Sequence, residues 1–245
     1  MERAEWLSQM RDKAEGLYDH LSSEYWAKFG RYPNEAHREY VQKLLERATP
    51  GGTLLSAACG AGRYDGMLLE AGHSVVGIDQ SEGMLAQARE RFPEARYEKM
   101  RLQEMAFREE FGGAICMDAM EHVCPEDWPG IMRGFSDALK PGAALCFTMP
   151  SADQWADEVA EAYERAKGHG LPVVFGELVD EVDEAYEQAK AAEPTAVSVE
   201  LADVAAYHYC PSLDQARTWI RQAGLAIEEQ GPGSGYEHFV VSRRP

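Results

Sequence analysis

The chain has 245 residues, with 24 lysines and arginines against 42 aspartates and glutamates, which gives a formal charge of −18 at pH 7. This balance argues against a nucleic-acid partner, because phosphate backbones are bound by surplus basic residues. The length suits one α/β domain with an inserted segment rather than two full domains. We therefore expect small neutral or cationic partners.

Compartment and metal content are predicted from the apolar runs and the cysteines. The first residues, MERAEWLSQMRDK, are charged throughout, and no stretch reaches the ~18 apolar residues that span a bilayer. The five cysteines show no metal-ligand spacing. These features predict a cytoplasmic protein without a membrane contact or a metal site.

The predicted elements begin with helices and continue as alternating strands and helices. Apolar residues recur at helical spacing over residues 2–29 and 35–48. Strands are predicted at 53–58, 74–79, 95–100, 113–118 and 143–149. Further helices are predicted at 63–71, 81–92, 126–139 and 212–223, before a final hairpin around Gly231-Pro232-Gly233. This alternation is typical of an α/β fold with a parallel sheet.

Four segments follow from this pattern. Residues 1–48 form an N-terminal helical cap, and residues 49–150 form the core of the domain. Residues 151–205 are acidic, show helical runs and no strand, and are interpreted as an inserted lid over the strand ends. Residues 206–245 supply the helix and hairpin that complete the core.

The most informative motif is LLSAACGAG, from Leu54 to Gly62, which predicts a buried strand, a glycine turn and a helix start. Gly60 and Gly62 have no side chains, so a ligand can approach the backbone closely. Asp79 ends the second strand nineteen residues after Gly60, the position of an acid that binds a ribose diol. Since Ser81 is the better cap for the next helix, Asp79 is left for the ligand.

The same turn does not match the dinucleotide motif. The third glycine, Gly66, comes one position late for G-x-G-x-x-G, and a Walker lysine is missing. The expected ligand is therefore a nucleoside without a pyrophosphate.

Six motifs along the chain resemble the class I S-adenosylmethionine-dependent methyltransferases that act on small molecules. They are LLSAACGAG, VVGIDQSEGMLAQAR, YEKMRLQEMAF, FGGAICMDAMEHV, LKPGAALCFTMP and the tail QAGLAIEEQ…GYEHFVVSRR. The resemblance implies a Rossmann-like, doubly wound, mostly parallel seven-stranded sheet with an antiparallel last strand. It also implies S-adenosylmethionine as the cofactor, with S-adenosylhomocysteine as the product.

Three positions depart from this family's pattern. Ser56 stands where the first strand usually ends in an acid, Ala58 where glycine is common, and Arg101 where the adenine loop usually carries an acid. The backbone near Leu102 and the side chain of Gln103 are expected to frame adenine instead. By the same resemblance, Tyr18 and His37 are candidates to contact the methionyl carboxylate. The cofactor-binding residues predicted in full are Tyr18, His37, Ala58, Gly60, Gly62, Asp79, Gln80, Leu102, Gln103 and Met117.

The candidate catalytic residues are Glu121, His122 and His208. Glu121 and His122 follow the fourth strand, where a carboxylate or neutral imidazole can take a proton from the acceptor. His208 lies in Tyr207-His208-Tyr209 at the end of the predicted lid. The alternative for all three is a structural role, as hydrogen-bond partners or as a lid hinge packed on the core.

The predicted function is methyl transfer to a small, aromatic or heteroaromatic acceptor of the indole or phenol type in specialised metabolism. Aromatic residues in the cap and near the expected pocket favour this acceptor; they are Tyr18, Tyr25, Trp26, Tyr32, Trp155, Tyr207, Tyr209 and Tyr236. A small amine acceptor and a non-catalytic nucleoside-binding protein remain as alternatives. A homodimer is left open.

Overall fold

The computed structural model describes residues 2–30, 34–179 and 207–244. The strands are β1 Thr53–Ala57, β2 Ser74–Asp79, β3 Arg96–Lys99, β4 Phe111–Cys116, β5 Leu139–Met149, β6 Glu177–Val179, β7 Tyr207–Tyr209, β8 Leu225–Gly233 and β9 Tyr236–Arg243. These described strands form one seven-stranded sheet and one two-stranded sheet, the latter made of β6 and β7. The helices are α1 Arg3–Tyr25, α2 Glu35–Leu45, α3 Asp65–Glu70, α4 Glu82–Arg91, α5 Trp128–Ala138, α6 Ala156–Gly168 and α7 Leu213–Gln222. Tyr32 and residues 180–205 of the predicted lid lie outside the described residues.

The strand order is β3-β2-β1-β4-β5-β9-β8. The first five strands are parallel, and β9 runs antiparallel to both of its neighbours. This confirms the predicted fold class. All five predicted core strands are present, and β1, β2 and β4 are buried along nearly their whole length, as strands covered on both faces are.

The strand order reverses between β1 and β4, which are adjacent in the sheet although β2 and β3 separate them in sequence. The connections to the two strands leave on opposite sides, so a crevice opens at their carboxyl ends. The fold therefore places the ends of β1, β2 and β4 around one site. Within the described part of the chain, no helix is long and apolar enough to cross a bilayer.

Two local expectations are wrong. The segment 151–205 was expected to hold no strand, but β6 pairs antiparallel with β7, so Tyr207-His208-Tyr209 is a strand and not a hinge. Three-residue strands that pair across a long sequence separation leave no periodic signal. The final turn lies at Ser234-Gly235, where both residues have positive φ, and not at Gly231-Pro232-Gly233.

The N-terminal helices pack on the core largely as their spacing predicts. Trp6, Leu7 and Met10 of α1 are buried in the main hydrophobic cluster. The predicted helix 2–29 ends earlier, since α1 stops at Tyr25 and a π-helical turn follows over Trp26–Gly30. In α2 the side chains of Tyr40, Val41 and Leu44 are buried, whereas Leu45 is half-buried.

Charged side chains attach α1 to the sheet edge and to the loops above it. Arg101 pairs with Asp12 at 3.0 Å and with Glu15 at 2.7 Å. Lys99 also pairs with Glu15, at 2.8 Å, and Arg11 makes a two-point contact with Asp127. Each exposed pair contributes little alone, but the set fixes the position of α1 over the strand ends.

A further ion pair joins the start of α1 to β6. The guanidinium of Arg3 donates to both carboxylate oxygens of Glu177, at 2.7 and 2.6 Å, and the Glu177 side chain is fully buried. Glu177 also accepts from the backbone N–H of Val174 and the hydroxyl of Tyr207, both at 2.7 Å. Four donors around one buried carboxylate make this contact the anchor between the cap and the two-stranded sheet.

We expect Arg3→Ala to lower the free energy of unfolding by about 3 kcal/mol, because it leaves the buried Glu177 charge without its cation. Hydrogen exchange along α1 should accelerate in the same variant. The matched control is Arg38→Ala, which removes an exposed arginine paired with Glu35 only at 4.0 Å. Denaturant titrations in which both variants lose the same small amount would contradict the anchoring role.

Candidate functional site

A cavity of about 900 Å³, counted with its open mouth, lies at the carboxyl ends of β1, β2 and β4. It is lined by nine of the predicted site residues: Tyr18, Ala58, Gly60, Asp79, Gln80, Leu102, Gln103, Met117 and His122. Four predicted site residues are not in its lining: His37, Gly62, Glu121 and His208. The fold thus brings most of the predicted cofactor set to one place.

The glycine turn after β1 depends on left-handed backbone at Ala58, Gly60 and Gly62, with φ of 48°, 52° and 79°. A Cβ on Gly62 would meet the ring of Phe92 at 2.9 Å, so this glycine is needed for packing between the turn and the end of α4. The N–H of Gly60 donates to Oδ2 of Asp79 at 2.8 Å. That N–H is therefore engaged within the protein and positions the Asp79 side chain.

Asp79 is held from both sides at the end of β2. Its Oδ1 accepts the backbone N–H of Ser81 at 2.9 Å, while the Ser81 hydroxyl accepts the N–H of Met84 at 3.1 Å as the predicted cap of α4. Burial raises the pKa of Asp79 to about 6. Each carboxylate oxygen keeps a second lone pair, so the fixed side chain can still accept from a ligand hydroxyl in the cavity.

Ser56 stands where the family pattern has an acid, and the structure supplies an acid there from another residue, Asp65. The sequence analysis did not identify Asp65. The hydroxyl of Ser56 donates to Asp65 Oδ1 at 2.6 Å, and the hydroxyl of Tyr97 donates to Oδ2 at 2.8 Å. Asp65 is fully buried under the turn, and burial raises its pKa to about 6. The carboxyl group thus reaches the turn from the first residue of α3, which no spacing rule for the first strand predicts.

The adenine loop also differs from its family pattern for a visible reason. Arg101 lines the cavity but directs its guanidinium to Asp12 and Glu15 of α1. The side chain of Gln103 donates to Asp127 at 2.9 Å. The loop is therefore tied to the cap and to the start of α5, and Leu102 is its apolar contribution to the cavity.

A polar network surrounds Asp118, a cavity residue that follows β4 with a positive φ of 52°. Its Oδ2 accepts from Arg63 at 2.8 Å and from the hydroxyl of Tyr64 at 3.3 Å. Its Oδ1 contacts Nε2 of the buried His37, whose Nδ1 lies 3.0 Å from Nε2 of His238. His37 therefore acts on the cavity through Asp118, and this strained aspartate was missed because a single acid after a strand carries no distinctive spacing.

His122 is fixed at both ring nitrogens. Nδ1 lies 3.1 Å from the carbonyl oxygen of Tyr207, so it carries the proton, and Nε2 lies 2.7 Å from the hydroxyl of Tyr18. Burial, together with the nearby His208, lowers the pKa of His122 to about 3. The imidazole is thus neutral and accepts from Tyr18, and the half-buried His208 ring lies 5.0 Å away from it.

Glu121 is buried beside this pair and is poorly partnered. Its Oε1 accepts from the hydroxyl of Tyr236 at 3.2 Å, and its Oε2 has no hydrogen-bond partner among the described residues. Burial raises the pKa of Glu121 to about 8, so the carboxyl is mostly protonated at neutral pH. Among the described residues, no group of three or more His, Cys, Asp or Glu side chains could hold a metal ion.

Comparison with known proteins gives the class. Residues 54–142 match the family model described as a methyltransferase domain. The chain is similar to a trans-aconitate 2-methyltransferase of Variovorax paradoxus, 34% identical over 128 residues, which are 51% of this chain and 49% of that protein. It is also similar to a ubiquinone biosynthesis O-methyltransferase of Hydrogenovibrio crunogenus, 26% identical over 54% of this chain and 57% of that protein.

The fold is similar to that of the magnesium protoporphyrin IX methyltransferase of Synechocystis, crystallised with bound S-adenosylmethionine. The TM-score is 0.62 at 12% identity, covering 96% of this chain and 97% of that chain, and this likeness shows the fold alone. The match spans about half the length of the curated relatives. Together these findings show that residues 54–142 match a methyltransferase domain and that the chain has the fold of the class I S-adenosylmethionine-dependent methyltransferases.

The buried Glu121 predicts a pH dependence of stability. Its folded pKa of about 8 lies above the ordinary glutamate pKa of 4.5, so the folded state holds a proton that the unfolded state has lost. Raising the pH from 7 to 8.5 should therefore cost about 1 kcal/mol of folding free energy as a buried charge forms. Thermal melting should show a falling Tm over this range.

The same loss should be absent in Glu121→Gln, which cannot ionise. The matched control is Glu161→Gln, an exposed position on α6, which should keep the wild-type pH profile. A Glu121→Gln profile that follows the wild type would assign the loss to other groups.

Proposed function

We propose that the protein transfers a methyl group from S-adenosylmethionine to a small acceptor with a planar aromatic or heteroaromatic ring, of the indole or phenol type. The observation that carries the proposal is the fixed carboxylate of Asp79 in the cavity beside the glycine turn. A carboxylate held in this way suits the two ribose hydroxyls of the donor. The family model and the fold support the same donor.

Other cavity residues fit the remaining parts of the donor. Leu102 and the half-buried Met100 are apolar side chains that suit the faces of adenine. Asp118 and Arg63 present opposite charges in the same cavity, which suits the ammonium and carboxylate of the methionyl end. In this arrangement His37 is a positioning residue, because it contacts Asp118.

S-adenosylmethionine supplies a methyl group already activated by the positive sulfur, so the protein has to align the acceptor and accept any proton that it loses. Tyr18 and His122 are in the cavity lining and hold each other in one orientation. Tyr18, Tyr25 and Tyr64 all line the cavity, and rings with polar tips suit a planar acceptor that carries a polar group. The named relatives act on trans-aconitate and in ubiquinone biosynthesis, so the class itself does not select the acceptor.

A non-catalytic nucleoside-binding protein is the weaker candidate. Its support came from Ser56 and Arg101, which depart from the family pattern. Ser56 hydrogen-bonds the buried Asp65, and Arg101 ties the adenine loop to α1, so both departures have structural explanations that leave the cavity complete.

Asp79→Ala should weaken the binding of S-adenosylhomocysteine at least about tenfold, since a charge-assisted hydrogen bond contributes about 1.5–3 kcal/mol. Wild-type affinity should also fall as the pH drops through about 6, where Asp79 gains a proton. Calorimetry measures both effects, with Asp214→Ala as the control because its carboxylate is almost fully exposed. Unchanged affinity in a folded Asp79→Ala variant would exclude the ribose role.

Transfer itself is tested with S-adenosylmethionine and panels of indoles, phenols, amines and carboxylic acids. Mass spectrometry should detect S-adenosylhomocysteine together with an acceptor heavier by one methylene unit. The control is protein heated to unfolding. Tight binding of S-adenosylhomocysteine with no product from any panel would favour the non-catalytic candidate.

A further inference from the structure

Glu121 differs from the other buried acids that face the strand ends or the lid. Glu177 accepts four hydrogen bonds and Asp65 accepts two from side chains, whereas Glu121 accepts one from a side chain, at 3.2 Å, and its Oε2 has no partner in the described part of the chain. A buried polar atom without a partner typically costs about 1–3 kcal/mol. An acid left in this state close to a ligand cavity indicates a partner that the described residues do not provide.

One tyrosine contacts this carboxyl, and two more line the neighbouring cavity. Tyr236 donates to Oε1 at 3.2 Å. Burial raises the pKa values of Tyr18, Tyr25 and Tyr236, and a negative charge on Glu121 adds to each rise. Tyr18 and Tyr25 also line the cavity, and the next residue, His122, does so as well. The Glu121 cluster therefore adjoins the cavity and shares two of its walls.

A carboxyl group among aromatic rings has the chemistry of an ammonium-binding site. The ring faces attract a cation through their quadrupoles, and a carboxylate oxygen accepts its N–H groups. The formal charge of −18 favours the approach of a cation over that of an anion. A phenol or an indole carbon would leave the second carboxyl oxygen without a charged partner.

We propose that the methyl acceptor is an arylalkylamine whose nitrogen is bound by the free oxygen of Glu121, with the rings of Tyr18, Tyr25 and Tyr236 around it. This inference rests on the proposed function and keeps its planar ring, but it places the reacting atom on an amine side chain of that ring instead of on a phenol oxygen or an indole carbon. It makes Glu121 a catalytic residue that touches the acceptor, with recognition and proton removal combined in one side chain.

The proton balance of the reaction follows directly. The ammonium gives one proton to the Glu121 carboxylate, which leaves a neutral amine with a free electron pair. That pair forms the new N–C bond while the S–C bond breaks and its electrons remain on sulfur. The product is a methylated ammonium and a neutral thioether, and Glu121 keeps the proton that it took from the amine, which restores its protonated resting state. The one proton that the reaction releases is the proton that Glu121 gives to solvent when the ammonium binds.

Binding alone has a measurable signature. At pH 7 free Glu121 is mostly protonated, because its pKa is about 8, while an alkylamine near pKa ~10 is an ammonium. An ammonium–carboxylate pair can form only if Glu121 loses its proton, so close to one proton should be released for each amine bound. A neutral alcohol of the same shape should release none.

The experiment is calorimetry at pH 7 on protein saturated with S-adenosylhomocysteine, in two buffers of different ionisation enthalpy. The probes are three amine and alcohol pairs: tryptamine and tryptophol, phenethylamine and phenethyl alcohol, benzylamine and benzyl alcohol. At least one amine should bind about tenfold more tightly than its alcohol and release close to one proton. Glu121→Gln should abolish both differences, and Glu161→Gln should keep them.

The two proposals fail in different ways. If S-adenosylhomocysteine itself does not bind the wild type, the proposed function is overturned. If it binds, but no amine binds better than its alcohol, or the preference survives Glu121→Gln without proton release, the amine inference is overturned while the methyltransferase proposal stands. S-adenosylhomocysteine binding to Glu121→Gln serves as the folding control for that variant.

Discussion

The site depends on one side chain that joins two loops. Asp79 accepts the Gly60 N–H with one oxygen and the Ser81 N–H with the other, so the turn after β1 and the start of α4 are fixed relative to each other. Asp19 of α1 then accepts from the Ser81 hydroxyl and the Gly83 N–H at the same helix start. The cap therefore docks on a surface that the Asp79 contacts have already ordered, and ligand access is coupled to that docking.

The opposite side of the cavity is assembled from distant parts of the chain. His122 follows β4, yet its orientation depends on Tyr18 from α1 and on the carbonyl of Tyr207 in β7. The Arg3–Glu177 pair holds α1 against β6, the partner strand of β7. A shift of the cap would thus release the Tyr18 contact with His122, so the geometry of the reacting side depends on the cap as much as on the sheet.

Sequence reasoning predicted the features that repeat or have fixed spacing. The strands, the glycine turn and Asp79 follow from buried apolar runs and a nineteen-residue interval, and the strand ends brought nine predicted residues to one cavity. It missed Asp65, Asp118 and Arg63, whose contacts join separate elements and leave no local pattern. It also missed β6 and β7, because their pairing depends on tertiary contact and not on periodicity.

The distribution of charge explains why one acid can remain poorly partnered. In the described part of the chain, acids such as Glu15 lie in ion pairs with arginine and lysine, and Glu177 and Asp65 receive several donors each. Glu121 instead avoids the cost of a buried charge by staying protonated near neutral pH. That solution avoids the cost only while the carboxyl is neutral, so a ligand that draws the proton away must supply a compensating positive charge. In the proposed amine complex, the same proton on Glu121 therefore links the stability of the free protein to the selection of its ligand.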